Sequence, residues 1–210
     1  MIIKGDIFMA KRIQDGKLFY HVTALENLEG IFTHGLLSRP DALKKEILKA
    51  DVADQEIIEK REALGILDYV PFHFFEKTAF TGAVYKNYKD TTFCVITILR
   101  DFAKNNDFKI CTAHPLSKNP KPEVLTYNEG LKSIDWKAME SRDYHDEKSK
   151  NVAMVECLAI SPVSPMNFNS IFVPSEAIRQ EVNDLVMEIL ENYSFHININ
   201  PRFTQEGKNG

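Results

Sequence analysis

The feature that most constrains the fold of this chain is a continuous apolar run, TTFCVITIL, at residues 91–99. The run is far too short to span a bilayer and is rich in β-branched residues, which is typical of a strand buried within a sheet. A second run, VAMVECLAI at 152–160, predicts another strand. A chain of 210 residues that is 44% hydrophobic can bury such strands in one core, so we expect a single domain over residues 1–210.

Strand and helix patterns follow one another in a mixed order along the rest of the chain. Further strands are expected at 17–22, 69–75, 109–112, 170–173 and 195–203, and helices at 24–34, 40–64, 135–141 and 174–193. Thr23 is a good N-cap and Gly35 a good C-terminal stop for the first helix. Pro71 suggests that its strand lies at an edge or begins there, because proline cannot donate to a sheet. The mixed order favours an α+β fold with a largely antiparallel sheet over repeated βαβ units.

Charge and motif content narrow the functional classes. The net charge is −4 with a pI of about 5.9, whereas a non-specific binder of duplex DNA is usually basic. A local basic groove is enough to hold a single strand. Candidate phosphate contacts, with solvated side chains as the alternative, are Lys86, Lys89, Lys118 and Lys121. The absence of GxGxxG, GxxxxGK[ST], HExxH and GxSxG argues against a Rossmann dehydrogenase, a P-loop NTPase, a zinc protease and an α/β-hydrolase.

Two further sequence patterns predict where the protein is located in the cell and whether it binds a metal. The N-terminal segment 1–16 has no apolar run of signal-peptide length, so we expect a cytoplasmic protein without a membrane span. Cys94, Cys111 and Cys157 lie in apolar runs without CxxC spacing. They are expected to be buried thiols, and we expect neither a disulfide framework nor a metal site.

Two polar residues end the first expected strand. His21 and Thr23 are two positions apart, and their side chains therefore point to the same side of the strand. Side by side, they could bind ribose hydroxyls and an amide. The alternative is a buried histidine with satisfied hydrogen bonds next to a helix cap.

Three other places hold weaker candidates. The aromatic residues of DYVPFHF at 68–74 could stack on a nicotinamide or a base, and core packing is the alternative. His114 precedes the loop PLSKNPKP, and Arg61 lies near the end of the charged segment 40–64, where a solvated side chain is the alternative.

Glu156 is the most unusual of the candidates, because it lies inside the apolar run 152–160. Burying a carboxylate is costly, so the side chain either lies on the solvated face of an edge strand or is held in a cleft for a purpose. Alternation places Glu156 on one face with Met154 and Leu158. Two apolar neighbours on that face favour a functional cleft.

These candidates occur together in an order that resembles the DarT family, the DNA ADP-ribosyltransferase toxins of the DarT–DarG toxin–antitoxin systems. The resemblance covers about residues 17–175 and is carried by YHVTALENLEGIFTHGLLSR, LDYVPFHF (compare the family's HDYVPFYF), KICTAHPL, LKSIDWKAMESRDYHD and MVECLAISPVSPMNFNSIFV. The DYVPF and IDW signatures are specific in combination, whereas the His-x-Thr and Ile-x-x-x-Gly-Leu elements are shared with other ADP-ribosyltransferases. The resemblance implies an ADP-ribosyltransferase-like fold with mixed or antiparallel central sheets and flanking helices.

The resemblance also implies roles for individual residues. Glu156 is the implied catalytic glutamate, which stabilises the oxocarbenium-like ribose and takes the proton from the attacking base. Arg61 is the second implied catalytic residue, holding the pyrophosphate or the base. The residues implied to bind the co-substrate NAD⁺ or to lie near its nicotinamide and the entering base are His21, Thr23, His114, Tyr69 and Phe72. No metal is implied.

The implied acceptor is thymine or guanine in single-stranded DNA, because ring nitrogens are hidden in a duplex. The implied protein partner is a DarG-type antitoxin with a macrodomain. The sequence departs from the family at 75–80, where the family has a Pro-Arg-Ser-Pro-Met-Leu-like run, and at 115–130, and both places are expected to be substrate loops. The alternatives are an enzyme of the same fold acting on RNA or protein, and a non-catalytic NAD⁺- or nucleic-acid-binding module.

Overall fold

The computed structural model describes residues 12–200, and an eight-stranded sheet runs through this part of the chain. The strands are β1 (Leu18–Ala24), β2 (Tyr69–His73), β3 (Phe93–Leu99), β4 (Lys109–Cys111), β5 (Val124–Thr126), β6 (Glu156–Ile160), β7 (Phe168–Val173) and β8 (His196–Ile199). Their order across the sheet is β5-β4-β6-β2-β1-β3-β7-β8. Neighbouring strands are antiparallel except β7 and β8, which run parallel. The expected α+β fold with a largely antiparallel sheet is confirmed.

Short helices flank the sheet and fill the connections between its strands. They are α1 (Leu28–His34), α2 (Arg39–Lys44), α3 (Gln55–Ala63), α4 (Ala79–Asn87), α5 (Arg100–Asn105), α6 (Tyr127–Ser133), α7 (Trp136–Ser141), α8 (Glu147–Ala153) and α9 (Glu176–Ile189). Several begin at a polar side chain that accepts a backbone N–H, as Ser175 does for α9 and Asp135 does for α7. Within residues 12–200, no helix has the length and apolar character needed to cross a membrane.

Both faces of the sheet are covered, as the apolar runs predicted. On one face Phe19 and Ile96 belong to the main core, which also includes Val182 and Val186 of α9. On the other face Val22 and Val95 join a smaller cluster. Strand β3 is buried along its length until its last residue, which agrees with the strand expected at 91–99.

A buried arginine ties the ends of two central strands together. Three nitrogens of the Arg100 guanidinium donate to the backbone carbonyls of Leu18, Gln14 and Phe74, at 3.1, 3.2 and 3.0 Å. The guanidinium carbon, Cζ, lies 5.1 Å from the ring centre of Phe19 and 5.0 Å from that of Phe74, so the cation is also held between aromatic faces. Arg100 therefore fixes where β1 begins relative to where β2 ends.

The prediction of a single charged helix over 40–64 is wrong. Two helices, α2 and α3, occupy this region, and a connection separates them. The chain leaves the helical conformation at Glu46, whose φ is 57°. Asp54 then caps the start of α3 by accepting the N–H groups of Glu56 and Ile57. The loose apolar spacing of the segment gave no single stripe that could bury a long helix, so two short ones separated by a loop are formed.

Two other local expectations are wrong. Thr23 does not cap a helix, because β1 continues through Ala24 and a short 3-10 turn, Leu25–Asn27, precedes α1. The helix end at Gly35 is confirmed, with a φ of 85° that suits glycine. Pro71 does not mark an edge strand, since β2 lies between β6 and β1 in the middle of the sheet.

The remaining differences concern element boundaries and elements that the sequence did not predict. Residues 152–153 end α8, and the strand expected over 152–160 begins only at Glu156. Helices α4, α5, α6 and α8 were not anticipated from the sequence. The expected strand 195–203 is found as β8, with residues 201–203 outside the described range. Most of the N-terminal segment 1–16 also lies outside it.

Replacing Arg100 with leucine is expected to lower the free energy of unfolding by about 3 kcal/mol, because three carbonyls lose their donor. Urea denaturation measures this change. Arg179→Leu is the control, since the Arg179 side chain in α9 is partly exposed and pairs with the exposed Glu176 three residues away. Equal, small losses in both variants would contradict the role given to Arg100.

Candidate active site in a cleft between two strands

The central sheet parts between β1 and β2, and this opening forms a cleft. The two strands are paired at one position, Tyr20 with His73. If the antiparallel register continued, Pro71 would face Val22, but proline has no N–H with which to extend the ladder. Residues from both faces of the sheet therefore line the cleft, among them His21 and Thr23 of β1 and Tyr69, Pro71 and His73 of β2.

His21 bridges the opening with its side chain. Its Nδ1 lies 2.8 Å from the carbonyl oxygen of Pro71, and since a carbonyl only accepts, Nδ1 carries the proton. Burial lowers the pKa of His21 to about 4, although the bond to Pro71 and the charge of Glu156 act in the opposite direction. The ring is neutral at pH 7, and its Nε2 is an acceptor.

Glu156 and Arg61 form a buried ion pair at the same cleft. Glu156 begins β6 directly opposite His73 of β2 and is 6% exposed, while Arg61 is 8% exposed. Nη1 of Arg61 donates to Oε2 of Glu156. The carboxylate is thus held in a cleft, the second of the two alternatives left open by the sequence.

Arg61 is in turn held by backbone carbonyls. Its Nη2 lies 3.3 Å from the carbonyl oxygen of Ile66 and 3.4 Å from that of Tyr69. Because Arg61 is in the last turn of α3 and Tyr69 begins β2, the connection between them folds around the guanidinium. The alternative of a solvated Arg61 side chain does not hold, because the structure buries Arg61 against Glu156.

Thr23 lines the cleft beside a residue that sequence reasoning missed. Nδ2 of Asn27 donates to Oγ1 of Thr23 at 3.3 Å and to the carbonyl of Ala50 at 3.0 Å. Its Oδ1 accepts the N–H groups of Lys49 and Ala50 at 2.9 and 3.0 Å. Asn27 therefore fastens the connection between α2 and α3 over the cleft, a contact that no local pattern signals.

Two further histidines lie close to Glu156. The cleft is lined by His114, one of the sequence candidates, and by His73, which the sequence presented only as part of an aromatic run. Nδ1 of His114 accepts the N–H of Leu116 at 3.2 Å. Burial lowers the pKa of both rings, and the charge of Glu156 partly opposes this shift. Side chains alternate between the two faces of a strand, and this period of two could have placed His73 on the same face of β2 as Tyr69.

Tyr69 and Phe72 lie in different places. Tyr69 lines the cleft. Phe72 does not, because it points to the other face of β2 and is fully buried in the main core. Its ring lies 5.6 Å from that of His21. The assignment of Phe72 to a nicotinamide or base contact is therefore wrong, and its contact with the cleft is indirect, through His21.

The segments expected to be substrate loops reach the cleft at one residue each. Phe80, in the first turn of α4, and Pro115, after β4, both line it. The four lysines proposed as phosphate contacts are exposed. Among residues 12–200, no group of three or more histidine, cysteine or acidic side chains is arranged to hold a metal ion. All three cysteines are buried and free.

The sequence and the fold of this chain match known proteins in two comparisons. The family model DarT: ssDNA thymidine ADP-ribosyltransferase matches residues 20–203. The fold is similar to Thermus sp. 2.9 DarT in complex with ADP-ribosylated ssDNA, at a TM-score of 0.76 and 19% identity, covering 93% of this chain and 100% of that chain. In complex with carba-NAD⁺, the Thermus protein gives a TM-score of 0.72 at 18% identity, covering 90% and 97%.

A third structure, Thermosipho africanus DarTG in complex with ADP-ribose, matches at a TM-score of 0.71 and 20% identity. The match covers 90% of this chain and 51% of that longer chain. No curated protein matches in sequence. At these identities, the solved structures establish a common fold.

Replacing Arg61 with methionine is expected to lower the free energy of unfolding by about 3 kcal/mol, because it leaves Glu156 buried without its partner. The double variant Arg61→Met/Glu156→Met is expected to recover most of this loss, since neither charge then remains. Urea denaturation of the two single variants and the double variant measures the coupling. A double variant as unstable as the sum of the single ones would contradict a buried, coupled pair. The exposed pair Glu176–Arg179 is the control and should show little coupling.

The lowered pKa of His21 is expected to make stability depend on pH between about 6.5 and 4. In this window the unfolded chain binds a proton at His21 that the folded chain does not, so stability falls as the pH falls. His21→Gln should make the decline shallower by up to about 1.4 kcal/mol per pH unit. Part of the decline should persist, because His73 and His114 also have lowered pKa values. Chemical denaturation at several pH values measures this, and parallel profiles of the two proteins would contradict it.

Proposed function

Because the chain belongs to the DarT family of ssDNA thymidine ADP-ribosyltransferases, we propose that Glu156 is its catalytic carboxylate and that thymine in single-stranded DNA is the acceptor. Membership in the family makes the chain an NAD⁺-dependent ADP-ribosyltransferase that acts on single-stranded DNA. The observation that carries the residue assignment is the buried Glu156–Arg61 pair in the cleft between β1 and β2.

NAD⁺ is held from the β1 side of this cleft. The neutral ring of His21 offers Nε2 as an acceptor for a ribose hydroxyl, because its Nδ1–H is already used by Pro71. The hydroxyl of Thr23 lines the same wall and is positioned by Asn27. These donors and acceptors suit an uncharged sugar, and a protonated His21 would lose its acceptor.

Glu156 supplies the electrostatic part of the reaction. Loss of nicotinamide from NAD⁺ leaves positive charge on the ribose, and a fixed carboxylate beside the sugar stabilises that charge more than it stabilises the starting ribose. The surroundings of Glu156 are largely closed to water, so the interaction is stronger than it would be in solution.

Arg61 acts on the reaction through Glu156. It donates to the carboxylate with one nitrogen and to backbone carbonyls with another, so it fixes the direction in which the carboxylate points. We assign Arg61 as a positioning residue. His114, which also lines the cleft, keeps a hydrogen for donation on Nε2, because its Nδ1 is used as an acceptor.

The acceptor base enters from the side of β2 and β4. Tyr69, Phe80 and Pro115 line the cleft there and give flat or apolar surface for a thymine ring. An unpaired base is required, since the ring nitrogen that reacts is hidden in a duplex. Phosphates of the strand are proposed to contact the exposed lysines Lys86, Lys89, Lys118 and Lys121.

Three broader properties complete the proposal. The whole chain, residues 1–210, forms one ADP-ribosyltransferase domain, which the continuous sheet supports. The protein works in the cytoplasm, where NAD⁺ and DNA are both available. It is neutralised by a DarG-type antitoxin, in keeping with the likeness to Thermosipho africanus DarTG.

Glu156→Gln is expected to slow nicotinamide release and ADP-ribosyl transfer about a hundredfold or more, because the amide cannot offset the charge on the ribose. NAD⁺ affinity should change little. The matched control is Glu188→Gln, an exposed residue of α9. The measurements are nicotinamide release, NAD⁺ binding by calorimetry, and the mass of oligonucleotides after reaction.

The oligonucleotide panel also tests the acceptor. Modification should occur in single strands that contain thymine and should be absent from strands without it and from a fully paired duplex. Equal modification of RNA or protein would support the alternative substrates. A Glu156→Gln variant with full activity would remove the assignment of the catalytic carboxylate.

A further inference from the structure

His73 occupies the point at which the cleft closes. It is the last residue of β2 and the position where β2 pairs with Tyr20 of β1. On its other side it lies directly opposite Glu156 of β6. Residues directly opposite in an antiparallel pair project from the same face, so the imidazole and the carboxylate are neighbours. The His73 ring lines the cleft.

One nitrogen of the His73 imidazole has no hydrogen-bond partner among residues 12–200. The residue is 6% exposed, and its Nδ1 is buried without a hydrogen-bond partner in the described part of the chain. Three polar side chains near it already have partners: His21 contacts Pro71, His114 contacts Leu116, and Arg61 contacts Glu156. A buried nitrogen without a partner is costly to maintain, and such groups are often retained for a ligand or a reaction.

Packing holds this ring in place. The centre of the His73 ring lies 5.8 Å from that of Phe80, and the two planes are inclined by 36°. Phe80 lines the cleft on the side from which the base is proposed to enter. His73 is therefore placed between the catalytic carboxylate and the surface proposed for the acceptor, with its orientation restricted by an aromatic neighbour.

The reaction requires a proton acceptor at this place. The bond between ribose C1″ and the nicotinamide nitrogen breaks, and its electron pair leaves with neutral nicotinamide. The ring nitrogen of thymine forms a new bond to C1″ and must lose its hydrogen as a proton. If Glu156 took that proton early, the carboxylate would become neutral while the ribose is still cationic, and its stabilising charge would be lost.

We propose that His73 is a catalytic residue whose imidazole accepts the ring-nitrogen proton of the entering base, so that Glu156 stays charged until the new bond has formed. This inference rests on the proposed function. The proton moves to His73 with no other co-reactant, and it passes to solvent when the product leaves. Glu156 then stabilises the positive charge on the ribose, and His73 accepts the proton from the base.

The protonation state of His73 agrees with this role. Burial lowers its pKa, so the ring is neutral and ready to accept a proton at pH 7. The charge of Glu156 acts in the opposite direction and favours the imidazolium that forms during the reaction. The charged and titratable groups that face the ring, from β6, α3, the loop after β4 and β1, are Glu156, Arg61, His114 and His21.

The test compares His73→Gln and His73→Phe with the unaltered enzyme and with His196→Gln, an exposed histidine on the edge strand β8. Transfer to a thymine-containing single strand is measured from pH 5 to 9 alongside nicotinamide release without DNA, NAD⁺ affinity and the thermal unfolding midpoint. Both His73 variants are expected to lose about a hundredfold in transfer, because neither can accept a proton. Nicotinamide release and NAD⁺ affinity should stay close to those of the unaltered enzyme.

The pH profile separates proton transfer from simple contact. In the unaltered enzyme, transfer should fall at acid pH more steeply than nicotinamide release does, and this extra fall should be absent from His73→Gln. Glutamine keeps a hydrogen-bonding group, so a His73→Gln enzyme with normal transfer and an unchanged profile would overturn the proposal. So would equal losses of nicotinamide release and transfer. If the unaltered enzyme releases nicotinamide but modifies no DNA, it is the proposed function that fails.

Discussion

The separation of β1 from β2 is the constraint on which the rest of the site depends. A continuous antiparallel seam would bury both strand edges, whereas here pairing ends at Tyr20 and His73. Pro71 cannot donate to the ladder, and its carbonyl accepts a hydrogen from the side chain of His21 instead. The opening therefore costs few hydrogen bonds, and it lets residues from both faces of the sheet meet in one cleft.

The strands on either side of the opening are held firmly, which makes the cleft a fixed feature. Strand β1 is paired with β3 over all of its residues, and β2 is paired with β6 in the same way. Arg100 joins the start of β1 to the chain just beyond β2 through carbonyls on each side. The carboxylate of Glu156 is thus carried by a rigid element, and in the proposed reaction little rearrangement is needed when positive charge develops on the ribose.

The buried polar groups of the cleft differ in their charge. Glu156 is in contact with Arg61, and in such a pair the two opposite charges offset part of the desolvation cost of each. The three histidines near them have lowered pKa values and are neutral at pH 7. The site therefore contains one fixed anion with its cation, surrounded by neutral imidazoles that can accept or donate hydrogens without adding charge.

Local pattern was sufficient for the parts of this protein that depend on one segment. The apolar run at 91–99 predicted β3, glycine predicted the end of α1 at Gly35, and the cost of an isolated carboxylate drew attention to Glu156. Resemblance to a family ordered these features and indicated ADP-ribosyl transfer. The sequence by itself thus determined the fold class, the family and the residue proposed as the catalytic carboxylate, because each is encoded within short stretches of chain.

Only the tertiary structure decided which side chains meet. Arg61 looked like a solvated helix residue and is buried against Glu156, 95 positions away. Phe72 and His73 are adjacent in sequence, yet the alternation of β2 sends the first into the core and the second into the cleft. The physical reason is that pairing across β1, β2 and β6 sets these neighbours, and strand order and the break at Pro71 are properties of the whole sheet.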